Sequence, residues 1–247
     1  MATKYKGIDV SKWQGKIDWQ KVKNAGVKFA ILRGGFGSLI SQKDAYFETN
    51  YANAKAAGIP VGVYWYSYAT SVAQARQEAQ TCLQVLKGKQ FEYPIYFDIE
   101  DSSQVKLGKE KLTAICEAFC DTLEKAGYFV GVYANTNWFT NYLDREKLAR
   151  KYTIWLADYR SAYNKTYKRD MHQYTSSGKV NGISGNVDMN TCTRDFPTII
   201  KNAGLNGYTK KTAQYTIITK AMSAGDKKTI CAQLDKLKID YTVTEVK

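Results

Sequence analysis

Tyr93-Pro94-Ile95-Tyr96-Phe97-Asp98-Ile99-Glu100-Asp101 is the stretch whose reading decides what this chain is. It begins as an apolar, aromatic and β-branched run, the composition of a buried strand, and ends in three carboxylates. Unpaired charge is costly inside a core, so the acids are expected where the strand leaves it. Asp98 and Glu100, two residues apart, point to the same face of a strand, roughly 6–7 Å apart along it. Two carboxyl groups that close in a partly dry site push each other's pKa values apart, so one stays protonated near neutral pH. Such a pair can cleave a glycosidic bond: one acid protonates the leaving oxygen and the other supports the developing positive charge. Ion-paired acids at a strand end would read the same way, and this stretch alone leaves both readings open.

Outward from it, the chain alternates strand-like and helix-like segments. Strands are expected over Lys4–Asp9, Val27–Arg33, Pro60–Tyr66, Tyr93–Ile99 and Phe129–Ala134. Helices are expected over Asp18–Ala25, over Asp44–Ala57, from a Ser71 cap to Gly88, and from Leu112 to Gly127. Asn24-Ala25-Gly26-Val27, Ala56-Ala57-Gly58-Ile59 and Lys125-Ala126-Gly127-Tyr128 repeat one device, a helix end, a glycine and the next strand. That recurrence argues for a repeated βα architecture. After residue 150 the helices fade, and Tyr152–Ala157, Met171–Tyr174 and Asn186–Met189 read as strands. Five βα units followed by about three strands predict an irregular eight-stranded α/β barrel over residues 1–202.

The working face of such a barrel lies at the C-terminal ends of its strands. Asp9, Asp98, Glu100 and Asp158 fall at or just beyond such ends, and Asp188 lies in the last strand. Tyr64, Trp65, Tyr66, Tyr133, Trp138, Trp155 and Tyr174 fall nearby, a pattern that favours a carbohydrate cleft. In an alternating run such as Tyr64-Trp65-Tyr66, about half the rings point away from it.

Composition narrows the chemistry. The 247 residues are 44% hydrophobic, enough for one large domain or a domain with a small module. No apolar run reaches 18 residues and none opens the chain, so neither membrane insertion nor a signal peptide is expected. The net charge of +13, spread along the whole chain, suits a polyanionic partner. The cations are scattered singly, unlike the dense runs of nucleic-acid arms, and no nucleic acid is expected. Five cysteines without a Cys-x-x-Cys read as free buried thiols. With a single histidine, His172, they leave no zinc site of the usual kind, and no metal or cofactor is expected.

Several blocks resemble a known family. Gly7-Ile8-Asp9-Val10-Ser11-Lys12-Trp13-Gln14-Gly15, followed by Ile17-Asp18-Trp19, is similar to the N-terminal signature of glycoside hydrolase family 25, the peptidoglycan muramidases. Tyr96-Phe97-Asp98-Ile99-Glu100 resembles its Asp-x-Glu motif. Trp155-Leu156-Ala157, His172-Gln173-Tyr174 and Val187-Asp188-Met189-Asn190 resemble its later blocks, in order. The resemblance covers roughly residues 4–195 and implies a flattened β/α barrel. It also implies cleavage of the β-1,4 bond between N-acetylmuramic acid and N-acetylglucosamine in bacterial peptidoglycan, a Gram-positive wall fitting the charge. Carried over, Glu100 is the general acid/base and Asp98 orients the substrate's N-acetyl group or supports the oxocarbenium-like centre. Asp9 and Asp188 line the cleft. Tyr64, Tyr66, Tyr133 and Trp155 are expected to contact sugar, with Arg33 and Gln173 as polar contacts. The nucleophile, substrate acetamide or enzyme carboxylate, is left open, with substrate assistance the favoured reading.

A chitinase-like glycosidase is the runner-up. Against it, the longer Asp-x-x-Asp-x-Asp-x-Glu string is missing, with Tyr96 at one of its acidic positions. A non-catalytic wall-binding barrel is the third reading, and the presence of Asp9, Asp98, Glu100 and Asp188 together counts against it. The expected role is a phage endolysin made in the cytoplasm, reaching the wall through a membrane-permeabilising partner. Gly204-Leu205-Asn206-Gly207 reads as a linker. Beyond it, Gln214–Thr219, Ser223–Leu237 and Ile239–Val246 predict a small βαβ module over residues 203–247. It is expected to bind the wall, to pair with a second copy into a homodimer, or only to stabilise the barrel.

Overall fold

Eight strands close into a barrel in sequence order. They are β1 (Tyr5–Val10), β2 (Phe29–Phe36), β3 (Val61–Tyr66), β4 (Ile95–Asp98), β5 (Val130–Asn135), β6 (Thr153–Ala157), β7 (Met171–Gly178) and β8 (Val187–Cys192). Neighbours from β1 to β7 are parallel, while β8 runs antiparallel to both β7 and β1. The structure is a computed structural model that describes residues 4–161, 168–210 and 223–237, with 239 and 241.

The first five strands are each followed by a helix: α1 (Trp19–Asn24), α2 (Phe47–Ala56), α3 (Val72–Leu86), α4 (Lys109–Lys125) and α5 (Arg145–Lys151). Among the described residues no helix lies between the last three strands, and the whole is the eight-stranded α/β barrel that the sequence predicts. The repeated glycine device does what its residue type allows: Gly26, Gly58 and Gly127 take φ of +86°, +68° and +84°, where a Cβ would be strained. Ser71 caps α3 by accepting the Gln74 N–H at 3.2 Å.

Strand alternation sorts the apolar residues into two cores. Outward-facing Ile95, Phe97, Val130, Val132 and Ile154 pack under the helices, with Phe97 4.4 Å from the Phe119 ring of α4. Inward-facing Phe29, Ile31, Tyr96, Tyr133 and Trp155 fill the barrel itself. Gly131 leaves the room these rings need, since a Cβ there would lie 2.5 Å from the Tyr96 ring. Trp65 faces outward, its indole donating to Gly37 O at 3.0 Å, whereas Tyr64 belongs to the inner cluster. Cys82, Cys116, Cys120 and Cys192 are buried free thiols.

The end of the barrel corrects the sequence reading. A further helix, α6 (Phe196–Ala203), is capped by Asp195 and pushes Phe196 and Ile200 into the inner core. The segment read as a linker is built in. Asn206 is fully buried, donating to Tyr93 O (2.9 Å) and accepting from the Phe129 N–H (2.7 Å). The compact unit therefore runs to Lys211 rather than stopping at 202, and residues 212–247 form a second unit. In that unit the helix expected over Ser223–Leu237 is α7 (Ala224–Lys236), with Ser223 as its N-cap. The expected strand Gln214–Thr219 and nearly all of Ile239–Val246 lie outside the described residues. No helix among the described residues is long and apolar enough to cross a membrane.

Candidate active site

The inward alternation that fills the barrel with rings ends in carboxyl groups at one mouth. Asp9 follows Gly7 on the inner face of β1, and Asp188 sits opposite it in register on β8. Because β8 runs antiparallel, Asp188 reaches this mouth near the start of its strand rather than the end. Asp98 is the last residue of β4. The ladder continues one residue further, with Ile99 N–H donating to Tyr133 O (3.2 Å) and its side chain in the outer core. Alternation therefore turns Glu100 inward, beside Asp98.

All four acids are held above the ordinary carboxylate range. Burial is the main cause for Asp98, followed by the charges of Glu100 and Asp9, with Arg33 pulling the other way. Burial also raises Glu100, opposed by the Asn135 hydrogen bond and reinforced by Asp188. Asp9 and Asp188 are both raised by burial and repel each other when both ionised, so this pair favours a shared proton. Asp98 is 4% exposed, and its Oδ1 is buried without a hydrogen-bond partner.

Asp9 is fixed by a relay of amides. Its Oδ2 accepts from Gln173 Nε2 (2.8 Å) and Asn190 Nδ2 (2.7 Å). Gln173 Oε1 in turn accepts the hydroxyls of Tyr133 (2.9 Å) and Tyr159 (2.7 Å). Asn190 Oδ1 accepts the Trp155 indole N–H at 2.8 Å. These bonds settle both amide orientations and leave each with its donor aimed at the carboxylate.

Three of the residues expected at the sugar are engaged by other protein groups. Gln173 is 2% exposed with both ends engaged, so it orients Asp9. Trp155 is 1% exposed beneath Tyr64, Tyr96 and Tyr133, a floor with no open ring face. Arg33 is clamped to Asp44 (Nε–Oδ2 2.7 Å, Nη2–Oδ2 2.6 Å) and acts on the mouth through its charge. Tyr64 stands half-buried between Trp155 and the acids, and burial keeps its hydroxyl protonated. Tyr66 is half-buried and donates to Asp101 Oδ2 at 3.2 Å. Tyr133 and Glu100 line a cavity of about 580 Å³ with Asn135, Asn137, Asn141 and Tyr159. Asp158, the acid after β6, is bound to Arg160 and Thr136 and held well below the usual range, chiefly by Arg160.

Asn135, Asp44, Tyr159 and Asn190 were not singled out as site residues from the sequence. Asn190 could have been, lying two residues after Asp188 and so on the same strand face. Asn135 likewise follows Tyr133 by two. Asp44 and Tyr159 sit in loops, where no periodicity points inward. Among the described residues no group of three or more His, Cys, Asp or Glu side chains is placed to hold a metal ion.

A β/α barrel with four interacting carboxyl groups at its mouth, one on an Asp-x-Glu step, has the equipment of a glycoside hydrolase. The family model for glycosyl hydrolases family 25 matches residues 8–183, and the chain belongs to that family. It is 30% identical over 187 residues to the autolytic lysozyme of Clostridium acetobutylicum, covering 74% of this chain and 54% of that relative. This chain thus spans about half the length of that lysozyme. The CTP1L endolysin matches at a TM-score of 0.70 and 30% identity, over 80% of this chain and 70% of its own. The modular autolysin LytC of Streptococcus pneumoniae, solved with a synthetic peptidoglycan ligand, matches at 0.68 and 29%, over 76% of this chain and 46% of its own.

Proposed function

We propose that this chain is an N-acetylmuramidase that cleaves the β-1,4 bond between N-acetylmuramic acid and N-acetylglucosamine in peptidoglycan. The observation that carries the reading is the buried, unpartnered Oδ1 of Asp98 beside a Glu100 held above its ordinary pKa. A carboxylate oxygen kept dry and unsatisfied is costly unless a substrate donor arrives to meet it. The 2-acetamido N–H of a muramic acid residue is such a donor.

In this reading Glu100, protonated in the resting site, gives its proton to the glycosidic oxygen as the C–O bond breaks. The acetamido oxygen attacks the anomeric carbon and forms an oxazolinium ion. Asp98, accepting the acetamide N–H, offsets the positive charge. Glu100, now a carboxylate, takes a proton from water as that water opens the ring, restoring the starting state. Asp9 and Asp188, sharing a proton, would hold the sugar without adding a second full charge beside Asp98. Tyr64, Tyr66 and Tyr133 supply ring faces and hydroxyls around it.

The role of an endolysin is supported by the likeness to CTP1L, and its host wall would be an anionic Gram-positive one, matching the net charge of +13. Residues 212–247 would serve wall association or pairing of two copies. The test of the reaction is reduction and analysis of products from purified Gram-positive peptidoglycan. New reducing ends on muramic acid are expected. Ends on glucosamine, or activity on chitin alone, would replace this reading with the chitinase-like one.

A further inference from the structure

We infer that Asn135 is a positioning residue for Glu100, holding Oε2 as the carbonyl oxygen of its acid form so that the transferable proton sits on Oε1. The inference rests on the assignment of Glu100 as the acid. Asn135 Nδ2 donates to Glu100 Oε2 at 3.1 Å. The amide cannot be read the other way round, because Asn135 Oδ1 accepts the backbone N–H of Trp138 at 3.1 Å. A protonated carboxyl has one acceptor-only oxygen and one hydroxyl; the oxygen that receives an N–H is the acceptor. The carbonyl oxygen is the stronger acceptor, so the bond to Oε2 favours the proton on Oε1.

The element that fixes Asn135 is unusual. After β5 the chain enters a π-helical turn, Trp138–Tyr142, closed by Leu143 N–H donating to Trp138 O at 3.0 Å. The turn leaves the Trp138 N–H to the Asn135 side chain, and Trp138 itself is anchored in the outer core. Wide turns of this kind are often kept at functional sites. Here the turn sets a rotamer, the rotamer sets a hydrogen bond, and the bond sets which oxygen carries a proton. The same bond opposes the burial that raises Glu100, so it also limits how far the acid's pKa climbs.

The experiment is the pH dependence of kcat on solubilised glycan for wild type, Asn135→Asp, Asn135→Ala and Glu100→Gln. Asn135→Asp keeps an acceptor for the Trp138 N–H but turns a carboxylate toward Glu100. Its high-pH limb should move up by about one pH unit or more, and its kcat should fall about tenfold or more. Asn135→Ala should move the limb the same way by less, and it decides the matter if the Asp variant does not fold. A folded variant whose limb stays at the wild-type pH overturns the inference. Should Glu100→Gln be inactive while that limb stays put, only the role of Asn135 fails. Wild-type turnover in Glu100→Gln removes the acid assignment, and the role of Asn135 with it.

Discussion

Glu78 and Asp98 show what a buried carboxylate costs where it has chemistry to do and where it has none. Glu78, on α3, accepts the Tyr68 N–H at 2.9 Å through Oε1, while its buried Oε2 has no partner. Burial pushes it up to about 7. Its folded pKa lies above the unfolded value, so the native state binds the proton more tightly. Stability therefore falls as pH rises from about 4.5 to about 7, by about 3 kcal/mol for a shift of this size. Glu78→Gln should flatten that slope. Urea denaturation at pH 5 and pH 8 checks it, and an equal difference from wild type at both pH values contradicts it. Asp98 has the same sign of shift but faces the mouth. Asp98→Asn should raise the denaturation midpoint near neutral pH while lowering turnover about a hundredfold, a trade expected of site residues. A variant that loses activity without gaining stability would mean that the burial of Asp98 is not what raises its pKa.

At the scale of elements, the segment after α6 carries more than its sequence suggests. Asn206 holds the only non-glycine positive φ among the described residues (+55°), and its amide joins the β4 and β5 approaches through Tyr93 and Phe129. Asn206→Ala should cost about 2–4 kcal/mol, since two buried backbone groups lose partners; a loss under about 1 kcal/mol would return the segment to the status of a linker. This is also where the sequence was least legible. The βα units could be read because inside and outside alternate with period 2 in the strands, and because glycines stop the helices. The four acids could be read because each lies on that alternation. Gly204-Leu205-Asn206-Gly207 looks like a linker because its partners, Tyr93 and Phe129, are distant in sequence. Arg33, Gln173 and Trp155 lie around the same mouth as the acids, but their partners Asp44, Asp9 and Asn190 lie on other elements. Only closure of the barrel decides which groups face substrate and which face one another.

For the whole molecule, the boundary at Lys211 changes how the two units should be separated. A chain cut at 204 would lose Asn206 and its bonds to Tyr93 and Phe129, so the informative truncation keeps residues 1–211. That piece should retain turnover on solubilised glycan and lose sedimentation with whole walls. Unchanged sedimentation and unchanged molecular mass would leave residues 212–247 with neither proposed role.

The central claim is that Glu100, raised by burial beside Asp98, is the acid of a glycosidase. It is tested most directly by counting reducing ends released from purified peptidoglycan by wild type and by folded Glu100→Gln. The account predicts muramic acid ends from wild type and at least a hundredfold fewer from the variant, about 3 kcal/mol of transition-state stabilisation. Free amines without reducing ends, or equal release by the two proteins, would contradict it.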